Sequence, residues 1–229
     1  MLRIENLSKS FGGVVATSDV SLHIPKGALS ALIGPNGAGK TTLFNLISGA
    51  IRPDSGRIIL DGENIVGLSG PQIVRKGIGR SFQIAQLFGT LSVEECLRGA
   101  LQSPLGKSAQ MHGRFPLVET RDRAYEVMAQ LGLESKAQVI SGNLSHGDQK
   151  LLDMALALVL KPKVLLLDEP LAGMGPEERE QMVETVHNLW KRGGLTLVLI
   201  EHDMDTVFRI AQNIHVLSYG KLLAEGTAE

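Results

Sequence analysis

Gly34-Pro-Asn-Gly-Ala-Gly-Lys-Thr-Thr42 follows the apolar run Ala28-Leu-Ser-Ala-Leu-Ile33 and precedes the helix-like Leu43-Phe-Asn-Leu-Ile47. Glycines at 34, 37 and 39 open backbone conformations that other residues resist, so several N–H groups can converge on one polyphosphate. A helix beginning near Lys40 adds free N–H groups and the positive end of its dipole. Strand before, glycine loop, Lys-Thr, helix after is the context a phosphate-binding loop requires, and it separates this stretch from an ordinary glycine-rich turn. Lys40 is then expected to reach the β- and γ-phosphates, Thr41 a Mg²⁺ ion and Thr42 a phosphate oxygen. Gly34, Pro35, Asn36, Gly37, Ala38 and Gly39 form the cradle itself.

Outward from that loop the chain reads as α/β. Leu2-Arg-Ile-Glu-Asn-Leu7 and Val20-Ser-Leu-His-Ile24 alternate apolar and polar residues, as antiparallel strands with one buried face do. Phe11, in Ser10-Phe-Gly-Gly13, is an aromatic among turn residues, suited either to a minor core position or to stacking on a base. Arg57-Ile-Ile-Leu60 is a short strand closed by Asp61-Gly62. The composition then turns helical and loop-rich from about Gln83 to Ser141. Ser92 is placed to cap a helix over Val93–Leu101, a Gly/Pro/Ser-bearing run spans 102–116, and a second helix covers about 119–131. This marks 83–141 as a helical insertion subdomain in an α/β core of 1–82 and 142–229.

The second half of the core is more regular. Asn143-Leu-Ser-His-Gly-Asp-Gln-Lys150 leads into an apolar helix to Leu160, ended by Pro162. Val164-Leu-Leu-Leu167 is a continuous apolar strand that stops at Asp168-Glu169-Pro170. Pro176 opens a helix through Trp190, Gly193-Gly194 releases the chain, and Leu195-Thr-Leu-Val-Leu-Ile200 is another buried strand, ending in Glu201-His202. Alternating strands and helices imply a mostly parallel sheet with its ligand site at the C-terminal strand ends, where Gly34, Asp168 and His202 all fall. Asp168 is placed to hold the Mg²⁺ ion, and Glu169 to orient and deprotonate an attacking water.

Composition bounds these readings. A chain of 229 residues can bury its own core, and 43% apolar with 21% charged residues is ordinary for a globular domain. A net charge of −1 offers no footprint for nucleic acid. The single cysteine, Cys96, cannot form an internal disulfide and is expected to be a buried thiol. The start lacks a signal-peptide profile, and the apolar run 154–160 is too short to span a bilayer, which points to the cytoplasm.

The Gly34–Thr42 loop, Gln83 after Arg80-Ser-Phe, Leu144-Ser-His-Gly147, Leu165-Leu-Leu-Asp-Glu-Pro170 and His202 together resemble, in order and spacing, the ATP-binding subunits of ABC transporters. The resemblance covers essentially the whole chain, and the serine-glycine segment shortly before an acidic strand end is its most specific part. It implies a P-loop NTPase core, an N-terminal antiparallel β part and ATP hydrolysis with Mg²⁺. By the same resemblance Phe11 is the adenine-stacking aromatic. Gln83 contacts Mg²⁺ and the attacking water and links the insertion to transmembrane permease subunits. Ser145 and Gly147 grip the γ-phosphate of ATP held by a second ATP-binding subunit, identical or a sister chain, and His202 orients the catalytic water. The place implied is the cytoplasmic face of the inner membrane.

Gly77-Ile-Gly-Arg-Ser-Phe-Gln83 and Glu169-Pro-Leu-Ala-Gly-Met174 are most similar to importers of branched-chain amino acids and their amide or urea relatives. Three features depart from the family pattern. His146 and Asp148 stand where Gly and Gln are usual, and Asp148 sets a negative charge near a polyphosphate. Gly175 replaces an acidic or amide residue. The chain also stops at Thr227-Ala-Glu229, where relatives generally continue with further helix. A soluble ABC-type ATPase working on DNA or ribosomes would carry paired cassettes or coiled-coil insertions, which this sequence lacks. A GTPase or kinase would leave Gln83, Ser145 and His202 without a task, and nucleotide binding with little turnover is the reading that Asp148 and Gly175 encourage.

Overall fold

Two sheets share one buried helix. The computed structural model describes residues 1–81, 88–102 and 120–227. β1 (Leu2–Phe11) and β2 (Val14–Ile24) form an antiparallel hairpin, longer on both arms than the alternating stretches alone suggest. β3 (Leu29–Ile33) runs into the glycine loop and α1 (Lys40–Ile47). β4 (Ser55–Leu60) returns to pair with β1, and the two-residue β5 (Glu63–Asn64) completes a four-stranded antiparallel sheet, β2-β1-β4-β5.

α2 (Gly70–Lys76) and β6 (Ile78–Ser81) follow. α3 (Val93–Gln102), α4 (Arg121–Leu131) and α5 (His146–Leu158) come next, then β7 (Val164–Asp168), α6 (Pro176–Lys191), β8 (Thr196–Ile200), α7 (Met204–Ile210), β9 (Asn213–Ser218) and β10 (Lys221–Thr227). The second sheet has the order β10-β9-β3-β8-β7-β6. All its neighbours are parallel except β10, an antiparallel edge on β9.

Alternation of side chains along the parallel strands divides the core. Leu29 and Ala31 of β3, Leu165 and Leu167 of β7, and Leu197 and Leu199 of β8 face one cluster with α3 to α7. Leu32, Val164, Leu166, Val198 and Ile200 point the other way, onto Leu43, Phe44, Leu46 and Ile47 of α1 and the inner face of the antiparallel sheet. Strands buried on both sides must be apolar throughout, which is why 164–167 reads as an unbroken run. α1 is therefore held between two sheets, and its first residue, Lys40, is fixed along with it.

The described part of the expected insertion packs against α5. Ser92 caps α3 with a reciprocal pair of bonds: its Oγ accepts from Glu95 N at 3.2 Å and its N donates to Glu95 Oε2 at 2.8 Å. Glu94 accepts from Arg98, Tyr125 and Gln138 at 2.6, 3.1 and 2.8 Å, joining α3 to α4 and to the segment after it. Arg123 of α4 donates to the carbonyls of Leu158 and Val159 at the end of α5, at 2.8 and 3.3 Å. Cys96 is buried, and burial pushes its thiol up.

Leu166 contributes to the cluster around α1 and is fully buried. Leu166→Ala is expected to lower stability by about 2–5 kcal/mol, read as an earlier denaturant midpoint; a loss under about 1 kcal/mol would show that this contact is replaceable.

Candidate nucleotide site

The register of the parallel sheet sets four strands level. Leu32 pairs with both His215 of β9 and Ile200 of β8, and Ile200 pairs with Asp168 of β7. The glycine loop, Glu169 and His202 leave the sheet from that row or one step beyond it. Their convergence is a property of strand pairing.

The loop needs its glycines for two separate reasons. Gly34 (φ 147°), Gly37 (φ 77°) and Gly39 (φ 99°) lie at positive φ. A Cβ on Gly34 would stand 2.1 Å from the Leu217 carbonyl, and one on Gly39 would stand 2.3 Å from that of Ala16, whereas one on Gly37 would meet nothing. Gly220, between β9 and β10, donates to Ala38 O at 3.0 Å and accepts from Ser18 N at 2.7 Å. The loop is thus pinned between the β9–β10 turn and β2. Val14, Val15 and Ala16 of β2, residues 36–42 and Glu169 line a cavity of about 230 Å³.

Lys40 is almost fully buried, and its Nζ donates to the carbonyls of Gly34 and Pro35 at 2.7 and 3.0 Å. Burial lowers its pKa, partly offset by Glu169 and Asp168. Asp168 is 3% exposed; its Oδ2 accepts from Arg80 at 2.8 Å, while its buried Oδ1 has no hydrogen-bond partner. A buried acceptor left without a donor calls for an ion or water. With the hydroxyl of Thr41 lining the cavity it is the kind of oxygen donor that Mg²⁺ takes. Among the described residues no group of three or more His, Cys, Asp or Glu forms a metal cluster. An ion here would be shared between one or two side chains and phosphate oxygens, as Mg²⁺ commonly is.

Glu169 has φ 51°, a left-handed backbone on a residue with a full side chain. Three hydrogen bonds hold it there: its N donates to Ile200 O at 3.1 Å, and its O accepts from Ala172 N at 3.2 Å and from the buried Lys150 Nζ at 2.8 Å. The turn aims the carboxylate at His202, whose Nε2 lies 3.0 Å from Glu169 Oε1. Glu201, next to His202, is buried and accepts from Leu171 N at 2.9 Å, which fixes the loop after β7 to the end of β8. Burial pushes its carboxyl up against those hydrogen bonds.

Ser145 caps α5, its Oγ accepting from Asp148 N at 3.2 Å and donating to Asp148 Oδ2 at 2.7 Å. Asp148 Oδ1 lies 2.5 Å from Lys136 Nζ, so its charge is paired within the chain. Burial pushes the Asp148 carboxyl up, but the bonds from Lys136 and Ser145 outweigh it and hold the group below its ordinary value. Ser145 and Gly147 line a second cavity, of about 270 Å³, which shares no residue with the first.

The structure thus gathers residues 36–42 and Glu169 around one cavity, with Asp168 and His202 at adjoining strand ends. It sets Ser145 and Gly147 apart. Phe11 is half exposed at the hairpin tip under Lys9, whose Nζ is 5.5 Å from the ring centroid; its strand partner Val14 lines the cavity. Gln83 lies outside the described residues. Sequence reasoning gave no role to Arg80, Lys150, Glu201 or the Val14-Val15 pair, because their partners are distant along the chain.

The chain matches the ABC transporter family over residues 17–172. It belongs to that family. It is 38% identical over 242 aligned positions to the high-affinity branched-chain amino acid transport ATP-binding protein LivG of Salmonella typhimurium, covering 100% of this chain and 92% of LivG. A nucleotide-free ATP-binding cassette from an ABC transporter superposes with a TM-score of 0.88 at 31% identity, covering 100% of this chain and 92% of the other. A dimeric cassette in a post-hydrolysis state, bound to ADP and Pi, superposes at 0.84 with 26% identity, covering 100% and 99%. The α/β core with its phosphate loop is the fold of these ABC cassettes.

Two outcomes follow from the geometry. Gly37→Ala is expected to cost about 1–2 kcal/mol of stability, from backbone strain alone. Gly39→Ala should cost more, because its Cβ also meets the Ala16 carbonyl; equal losses in denaturant titrations would refute that steric account. Lys136→Met should cost about 0.5–1 kcal/mol in the native background and close to nothing beside Asp148→Gln, and equal costs in both would show that the pair does not couple.

Proposed function

We propose that this ABC cassette is the ATP-hydrolysing subunit that powers a membrane importer, for branched-chain amino acids or related amides. The observation that carries it is the 3.0 Å contact between Glu169 and His202 at the mouth of the phosphate loop. Full-length similarity to LivG supports the transport assignment. Lys40 and the loop N–H groups bind the β- and γ-phosphates, and the Thr42 hydroxyl donates to a further phosphate oxygen. Phe11 and the Val14-Val15 edge offer apolar surface for the adenine.

Thr41 and Asp168 would hold the Mg²⁺ ion, with Gln83 joining them, and the bound ion would supply positive charge against that developing on the phosphate oxygens. Glu169, as general base, takes the proton of the attacking water, and His202 donates its Nε2–H to the carboxylate and keeps it aimed. The strained φ of Glu169 is consistent with a residue held for chemistry.

The separation of Ser145 and Gly147 from the phosphate cavity supports a two-subunit site. The capped start of α5 in one subunit meets the triphosphate held by the other. ATP then favours the closed pair by contacts made only in that state, and hydrolysis withdraws them. The dimeric relative supports this arrangement. The region 83–141, whose described helices α3 and α4 pack on α5, is the part that, with Gln83, meets the permease subunits. Among the described residues no helix is long and apolar enough to cross a membrane. Similarity to the transport subunit LivG supports a place on the cytoplasmic face, held there by those permeases.

Glu169→Gln is expected to lower the steady-state ATPase rate by about 10²–10⁴-fold while ATP binding and ATP-dependent pairing persist. Turnover at the native rate would remove Glu169 as the base. Proteoliposomes holding the native cassette and its permeases should accumulate a branched-chain amino acid only with internal ATP, and ATP hydrolysis without uptake of any amino acid or amide would overturn the transport reading.

A further inference from the structure

Arg80, near the end of β6, sits between the helix that follows the phosphate loop and the carboxylate assigned to the metal. Its Nη1 donates to Asn45 Oδ1 of α1 at 2.6 Å and to Oγ of Ser48, the residue that ends α1, at 3.1 Å, while its Nη2 donates to Asp168 Oδ2 at 2.8 Å. Its guanidinium carbon lies 5.8 Å from the ring centroid of Phe44, also on α1. The Arg80 and Asp168 side chains are 7% and 3% exposed. One planar group therefore ties three elements of the site: β6, α1 and the end of β7.

A buried ion pair of this kind is a poor source of net stability, since desolvating two charges offsets their attraction. It does fix geometry. With Oδ2 committed to Arg80, the Asp168 carboxylate has one rotation left, and Oδ1 is the oxygen without a partner. The fork also prevents Asp168 from turning toward Lys40, whose ammonium feels its charge.

We infer that Arg80 is a positioning residue for the metal: its fork, braced on Asn45 and Ser48, holds Asp168 with Oδ1 presented to the divalent cation of the nucleotide complex. This rests on reading Asp168 as the metal-holding carboxylate. The fork, and not the positive charge, is what the arrangement uses. A cation 2.8 Å from Asp168 Oδ2 repels a metal electrostatically, so charge alone would weaken binding. A lysine keeps that charge and cannot span three acceptors in one plane.

The test uses the full chain with Mn²⁺ as the metal probe and a non-hydrolysable ATP analogue, reading bound Mn²⁺ by electron paramagnetic resonance. Arg80→Lys should raise the Mn²⁺ concentration for half-saturation about tenfold. Asn45→Ala, which removes one brace and leaves the charge, should raise it about threefold. Analogue affinity in EDTA should stay within twofold of native for both. Unchanged or tighter Mn²⁺ binding in Arg80→Lys overturns the inference, as does an equal loss of analogue affinity in EDTA, which would mean that Arg80 supports the phosphate loop instead. Should Arg80→Lys fail to melt cooperatively, Asn45→Ala carries the test alone, and an unchanged half-saturation there is decisive against it. Failure of the underlying metal reading has its own signature: Asp168→Asn would then bind Mn²⁺ as the native protein does.

Discussion

Level pairing of Leu32, Ile200 and Asp168 across β3, β8 and β7 is the constraint on which the site depends. It holds because these strands are apolar on both faces, and a slip of one residue would send each face's side chains into the wrong cluster. Apart from the small buried hydroxyls of Ser30 and Thr196, polar groups are therefore held back until the strands end. They then emerge together at one edge, where the loop, the acidic pair and His202 follow within two residues of the paired row. α1, clasped between the sheets by Leu43, Phe44, Leu46 and Ile47, holds the far side of the loop in the same frame.

The edge concentrates features that would be unfavourable singly. Lys40, Lys150, Asp168 and Glu201 are buried, Glu169 adopts a left-handed backbone, and two loop glycines lie where a Cβ would strike a carbonyl. A strained residue of this kind costs about 1–3 kcal/mol and persists only if its surroundings over-determine it. Here they do. Glu169 is held through Ile200, Ala172 and Lys150, and the loop after it through Leu171 and Glu201. The buried cations Lys40, Arg80 and Lys150 lie among the carboxylates of residues 168, 169 and 201, so the site balances its charges without losing them to solvent.

Local signals were legible in the sequence and distant ones were not. The glycine loop, the apolar runs 164–167 and 195–200, the Ser92 cap and the helix after Pro176 all stand in the structure where their residues place them. Helix ends differ by one or two residues; α5, for instance, stops at Leu158, two residues short of Leu160. β6, β9 and α2 gave no comparable signal. Ile78-Gly-Arg-Ser81 contains one large apolar residue, Asn213–Ser218 is interrupted by a buried His215, and α2 is only seven residues long. The roles of Lys150, Glu201 and Arg80 arise from partners 19, 30 and 88 residues away, a relation that no local pattern encodes.

The departures at 146 and 148 illustrate the same point from the other side. Read alone, Asp148 sets a negative charge beside a phosphate-binding turn. In the fold, Lys136 pairs with that charge and Ser145 donates to the same carboxylate, so the residue stiffens the start of α5 while presenting little uncompensated charge. His146 lies 3.3 Å from the Ala172 carbonyl, and a Cβ on Gly173 would stand 3.1 Å from its Nε2, so a side chain there would press the ring by a few tenths of an ångström. Lys150 reaches the Glu169 carbonyl from one turn further along. α5 is consequently joined at two points to the loop that carries Glu169. A displacement of the helix start must move that loop or break both contacts. The turn bearing Ser145 and the residue bearing the base are in this way parts of one mechanical unit within a single chain, although they face different cavities.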